Sequence, residues 1–296
     1  MNTPPTSAST APGSASAAPP PAAVAIVGMA CLLPGALDLA ALWANVMNKV
    51  DAITEVPPER WDWRLYYDPD PAARDRIVAR WGGFLPPVPF DPVAFGMPPS
   101  TLASIEPFQL LTLLVVRAAL ADAGYLDAPP ARERTAVILG AGGGAGDLSA
   151  GYITRSLLPT LFGEQAEAVL ERLADHLPEW TEDSFAGLLM NVAAGRVANR
   201  FDFGGLNFTV DAACASSLAA VYLGVRELEA GTSDMVIVGG VDTLQNPFAF
   251  LCFSKTRALS PSGRCRPFDA QADGIAISEG LVALVLKRLA DAERDG

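Results

Sequence analysis

Histidine is nearly missing from this chain: one, His176, in 296 residues. Any Cys–His pairing would have to draw on that one residue, brought close by the fold. Cysteine is scarce too. The four present, Cys31, Cys214, Cys252 and Cys265, show neither CxxC spacing nor disulfide-scaffold density, so neither a zinc site nor an oxidised framework is indicated and a reducing cytoplasm fits best. Basic charge is in deficit: 21 Lys and Arg against 33 Asp and Glu give a formal net charge of −12, which argues against a general nucleic-acid binder needing a basic face to displace counterions. Long apolar runs are lacking as well. The most apolar helix-like stretch, residues 108–121, is interrupted by Arg117 and is too short to cross a bilayer. Residues 1–22 lack a charged side chain and a basic start followed by an apolar stretch. They read as a flexible Pro/Ala/Ser/Thr-rich tail or linker and not as a secretory signal.

Half of the residues are apolar, enough for a substantial core in one large domain or two smaller ones. Residues 24–28 (Val-Ala-Ile-Val-Gly) predict a strand buried on both faces. Leu39, Leu42, Trp43 and Val46, with Asp38 in front, predict a helix. From 51 to 99 the density of Pro, Trp and Asp-Pro steps predicts turns and loops. A helix beyond Glu106 should run to Asp122 and stop at Ala123-Gly124. Further strands are expected at 135–139, 207–210, 235–240 and 280–286, and a helix from 184 to about 199. Almost wholly apolar strands separated by helices indicate an α/β fold with helices on both faces of a sheet. The turn at 140–146 superficially matches a dinucleotide fingerprint, which should open directly onto a helix. About forty residues of helical pattern without a strand follow it, so a nucleotide site is disfavoured.

The residue that stands out is Cys214, in Val210-Asp211-Ala212-Ala213-Cys214-Ala215-Ser216-Ser217-Leu218. A strand-like run ends just before it and a helix-like run begins just after. Unpaired N–H groups and the macrodipole at a helix N-terminus favour negative charge, which suits a nucleophilic thiol. Its small neighbours leave room for a bulky reacting group, as thioester chemistry requires. Position alone leaves open a buried structural cysteine. The other three cysteines lack this setting and are expected to serve packing. His176 is expected to be a surface or locally hydrogen-bonded residue.

Several motifs agree in order with one family. The opening Val24-Ala25-Ile26-Val27-Gly28-Met29-Ala30-Cys31 with Leu33-Pro34-Gly35, the loop motifs Arg60-Trp61-Asp62, Tyr67-Asp68-Pro69 and Gly82-Gly83-Phe84-Leu85, and the Cys214 segment all belong to the pattern. So do Ala258-Leu259-Ser260-Pro261, Arg266-Pro267-Phe268-Asp269, Asp273-Gly274 and Ser278-Glu279-Gly280. The chain resembles the N-terminal half of a β-ketoacyl synthase (ketosynthase) domain, of the polyketide or polyunsaturated-fatty-acid synthase type, over residues 23–296, with a possible helical insertion at about 148–183.

That resemblance implies a thiolase-like fold, the first of two duplicated α/β units, with a mixed sheet, helices on both faces and the second unit absent. It also implies that Cys214 takes an acyl group from the phosphopantetheine arm of an acyl carrier protein. The Cys214 backbone N–H would contribute to the oxyanion hole, and a malonyl-type extender would condense with loss of carbon dioxide. No cofactor is bound directly. The two histidines that support decarboxylation belong to the second half of such domains. The partners implied are the carrier protein, a second copy in a homodimer with residues 207–211 near the interface, and the missing half or a complementary polypeptide. The alternative is a truncated, non-condensing protein that only binds acyl groups or partners. Arg257, Arg264 and Arg266 would face an acidic carrier protein, or, as the stronger reading, hold their own loop through Asp269 or Glu279. Asp211 and Glu279 suit positioning better than proton transfer. Apolar or small residues surround the predicted helix of residues 214–229, which predicts burial on all sides and an isolated chain that is unstable or needs a complement.

Overall fold

The computed structural model describes residues 23–142 and 146–296; the expected tail at 1–22 and the centre of the glycine-rich turn lie outside the described residues. The chain runs through β1 (Val24–Leu32), α1 (Leu39–Asn48), the short strands β2 (Thr54–Glu55) and β3 (Trp81–Gly82), then α2 (Pro107–Asp122) and β4 (Thr135–Gly140). Four helices follow, α3 (Asp147–Phe162), α4 (Ala166–Ala174), α5 (Glu182–Leu188) and α6 (Val192–Phe201). β5 (Asn207–Val210), α7 (Ser216–Glu229), β6 (Met235–Asp242), α8 (Pro247–Lys255), β7 (Gly280–Arg288) and α9 (Leu289–Asp295) complete the order.

Five strands form one mixed sheet in the order β1-β7-β6-β4-β5. β4 runs parallel to both β5 and β6, whereas β7 is antiparallel to β6 and β1. Alternation along the strands divides the core in two. Val137, Leu139, Met235 and Ile237 face α2 and α6, and Ala136, Ile138, Val236 and Val238 face α7. This is the expected α/β architecture with helices on both faces.

Several local expectations change. β1 is an edge strand and not one buried on both faces, so Ile26 and Met29 are exposed. Asp38 caps α1, accepting the Ala41 N–H at 2.7 Å, which fits its acidic side chain to a helix start. The single helix expected from 184 to 199 is two, α5 and α6. The buried Gln109 side chain accounts for the break: its Nε2 donates to the carbonyls of Ala186, Gly187 and Leu189 at 2.9–3.0 Å, satisfying the end of α5 that further helix would otherwise satisfy. Arg196 Nε in turn donates to Gln109 Oε1 at 2.8 Å.

The loop-rich region 51–99 folds onto its own small core of Val56, Ile77, Ala79, Phe84, Phe250 and Leu259. It is fastened to the sheet by Glu279. That buried carboxylate accepts the Leu85 N–H at 2.6 Å and pairs with Arg60, joining the early loop motif to the strand that closes the fold.

Candidate active site at the β5–α7 turn

Cys214 lies where the sequence predicts, between a strand and a helix. β5 ends at Val210, one turn of 3₁₀ helix covers Ala213–Ala215, and α7 continues from Ser216. The thiol residue is exposed, which removes the buried structural reading. Glycines seat this turn on the sheet. A Cβ at Gly140 would lie 2.4 Å from the Ser216 carbonyl carbon, and one at Gly240 would lie 2.7 Å from Ser217 Cβ. The first turn of α7 therefore rests directly on the ends of β4 and β6.

Hydrogen bonds define the turn before the cysteine. Asp211 Oδ1 accepts the Ala213 N–H at 2.9 Å, and Ser216 Oγ accepts the Ala212 N–H at 2.9 Å while donating to the Ala213 carbonyl at 2.7 Å. The Cys214 N–H meets no acceptor among the described residues, as the geometry of a helix start allows. The exposed sulfur, the free N–H and the flanking alanines together leave space for an acyl group whose carbonyl carbon the thiol can attack, and one donor for that carbonyl's oxygen.

Two carboxylates, buried Glu279 and Asp242 at the end of β6, stand at the same end of the sheet. Burial pushes the Glu279 carboxyl up, against the opposing pull of the Leu85 N–H and Arg60, and Asp242 and Asp147 add repulsion. Asp242 is raised by burial as well. Glu279 thus fixes the loop, as a positioning residue should.

The other predicted residues do not gather at Cys214. His176 is exposed after α4, with its backbone N–H bonded to Leu173 O at 3.0 Å, and makes no contact with Cys214 among the described hydrogen bonds. Cys31 is buried, and burial raises its thiol, with Asp38 adding to the effect. Cys252 and Cys265 are exposed, so packing is not their role. Among the described residues, none of Arg257, Arg264 and Arg266 forms an ion pair with Asp269 or Glu279. Arg264 reaches Asp51 at 3.7 Å, and Arg266 donates to Gln271 O at 3.3 Å. Sequence reasoning missed the Arg60–Glu279 pair, whose partners are 219 positions apart. It also read Ser216 only as a small neighbour.

The glycine-rich turn does open directly onto a helix, since α3 starts at Asp147. That helix end is already filled, because the Glu106 carboxylate accepts the Ser149 N–H at 3.0 Å. Burial raises the Glu106 carboxyl. A pyrophosphate would meet an acidic side chain there, and the next strand is β5. No cluster of metal-binding residues occurs among the described residues, and no described helix is long and apolar enough to cross a membrane.

Comparison with known proteins agrees with this geometry. The family profile described as "Beta-ketoacyl synthase, N-terminal domain" matches residues 22–292. A polyunsaturated fatty acid synthase polypeptide of Thraustochytrium sp. is 35% identical, over 92% of this chain and 10% of its own length. A mycocerosic acid synthase-like polyketide synthase of Mycolicibacterium smegmatis is 37% identical, over 92% of this chain and 12% of its own length. Among solved structures, an oxazolomycin ketosynthase domain of Streptomyces albus JA3453 superposes with a TM-score of 0.77 at 35% identity, covering 93% of this chain and 43% of that one. The chain therefore spans a small part of these relatives and less than half of a ketosynthase domain.

Proposed function

The chain belongs to the β-ketoacyl synthase family, and on that premise we propose that it supplies the acyl-accepting half of a condensing enzyme of polyketide or fatty-acid synthesis. Cys214 Sγ attacks the carbonyl carbon of an acyl group carried on the phosphopantetheine arm of an acyl carrier protein. The bond from that carbon to the arm's sulfur breaks, the arm leaves as a thiol with the proton given up by Cys214, and the acyl group remains on Cys214 as a thioester. The Cys214 N–H is one donor to the oxyanion of the intermediate. In the condensation, a malonyl-type extender loses carbon dioxide, the resulting carbanion attacks the Cys214 thioester, and the thiolate departs. The decarboxylating histidines and the second oxyanion donor belong to the second half of the domain, so loading is this chain's own share. No directly bound cofactor is required, and a reducing cytoplasm suits the free thiol.

The observation that carries this reading is the exposed Cys214 with its unbonded N–H at the head of α7. Leu218 and Tyr222, 73% and 64% exposed on the outer side of that helix, support a second α/β unit as its cover. The outer edge of β5, which among the described residues pairs with β4 alone, suits a second copy in a homodimer. Within residues 23–296, residues from about 148 to 183 are read as a helical insertion, and 1–22 as a tail or linker.

The test is intact-mass spectrometry of the chain after incubation with an acyl-loaded carrier protein. One acyl increment is expected on the parent and none on Cys214→Ala. A Cys214→Ala variant that loads as well as the parent would overturn the assignment.

A further inference from the structure

The turn that presents Cys214 contains a residue in a backbone state that alanine resists. Ala213 has φ +49°, a left-handed conformation glycine adopts freely but one that brings an alanine Cβ too close to the following carbonyl. Three hydrogen bonds hold it there. Ser216, only 8% exposed, uses its single hydroxyl twice, accepting from the Ala212 N–H and donating to the Ala213 carbonyl. Asp211 Oδ1 takes the Ala213 N–H. Ser216 is itself immobilised, because its backbone presses on the end of β4 at Gly140. Rotation of Ala213 toward the right-handed region would break these bonds and swing both the Cys214 N–H and its side chain away from their present directions.

We propose that Ser216 is a positioning residue for Cys214: its hydroxyl, anchored to the sheet, holds Ala213 left-handed and so aims the Cys214 thiol and N–H, with Asp211 as the second, weaker arm. The inference rests on the nucleophile reading of Cys214, but its consequence appears in thiol reactivity and does not need acyl transfer to be observed.

The experiment measures alkylation of each cysteine in the full chain by iodoacetamide, in which the sulfur forms a bond to the reagent's methylene carbon and iodide leaves. Exposed Cys252 and Cys265 and buried Cys31 act as internal references. Ser216→Ala should slow Cys214 by about tenfold, since the reactivity of a cysteine follows its access and its setting at the helix start, while Cys252 and Cys265 keep the parent's rates. Ser216→Thr, which retains the hydroxyl, should restore Cys214 to within about twofold of the parent. An unchanged Cys214 rate in Ser216→Ala overturns the proposal.

If Ser216→Ala unfolds the chain, seen as alkylation of Cys31, the exposed Asp211 decides the matter. Asp211→Ala should slow Cys214 alone by about threefold and Asp211→Asn should not; equal rates for both variants and the parent would overturn the proposal. A Cys214 that never takes an acyl group yet shows this Ser216 dependence refutes the acyl-transfer reading and leaves the positioning intact. A Cys214 that loads normally but alkylates without regard to Ser216 does the reverse.

Discussion

Among the described residues, one face of the sheet carries α2 and α6 over a core of 26 buried apolar residues, whereas the core on the other, beneath α7, numbers seven. α2 is 16 residues long and buries eight of them; α7 is 14 long and buries four, Ser216, Ala220, Gly224 and Leu228. Both helices are apolar around most of their circumference, a pattern that calls for cover on all sides. α2 has that cover from α6, the sheet and the loops that follow α1. α7 has the sheet beneath and nothing above among the described residues. The difference locates the uncovered face of the described structure: it is the side of α7 remote from the sheet, and Cys214 stands at its border.

The largest effect that would break this comparison comes from matched truncations. Leu113→Ala, at a fully buried position of α2, should lower stability by about 2–5 kcal/mol, while Leu218→Ala on α7 should stay within about 0.5 kcal/mol in the chain alone. Urea denaturation reads both, and equal losses would erase the distinction. Next in size is the response to a partner. Once a polypeptide carrying a ketosynthase second half is added, Leu218→Ala and Tyr222→Ala should each weaken association by about 1.5–3 kcal/mol, the value of burying a large apolar side chain. Calorimetric titration that finds parent-like affinity for both variants would show that α7 is not the contact.

A polar anchor on the covered face comes third. Gln109→Ala removes the donor shared by three carbonyls and should cost about 1–3 kcal/mol, with faster amide exchange expected where α5 ends. The smallest effect is electrostatic. At the end of the sheet away from Cys214, Arg134 and then Arg288 hold the Asp234 carboxyl at about 2, below the ordinary 3.8. Its contribution is therefore complete above the ordinary value and is lost as pH falls toward about 2, so Asp234→Asn should lower stability near neutrality and flatten the acid limb of a stability–pH curve. The buried carboxyls of Glu106 and Glu279, raised by burial, act with the opposite sign: their contribution is greatest when protonated and is lost as pH rises through their raised values.

The parts of this picture that were legible in the sequence are those whose causes are local. The strand-to-helix junction at Cys214, the all-round apolar helix after it and the stop of α2 at Ala123 each follow from residues within a few positions of the feature. What was hidden depends on residues far apart in the chain. The break between α5 and α6 is imposed by Gln109, the closing strand is tied to the early loop by Glu279 and Arg60, and β1 reads as interior although the sheet order leaves it at an edge. The loop arginines were misassigned for a related reason. Arg264 pairs with Asp51, a carboxylate far from it in the chain. At the candidate site, residue type singled out Cys214 but not the contacts around it, because the Ser216 hydroxyl spans a turn whose left-handed Ala213 has no sequence signature.

The proposed function requires that Cys214, alone among the exposed cysteines, accepts acyl groups. Peptide mapping by mass spectrometry, after exposure of the full chain to an acyl-loaded carrier protein, tests this most directly. The acyl mass is predicted on the peptide bearing Cys214 and absent from those bearing Cys252 and Cys265. Acyl groups distributed over all three, or found on Cys252 or Cys265 with Cys214 unmodified, would contradict it.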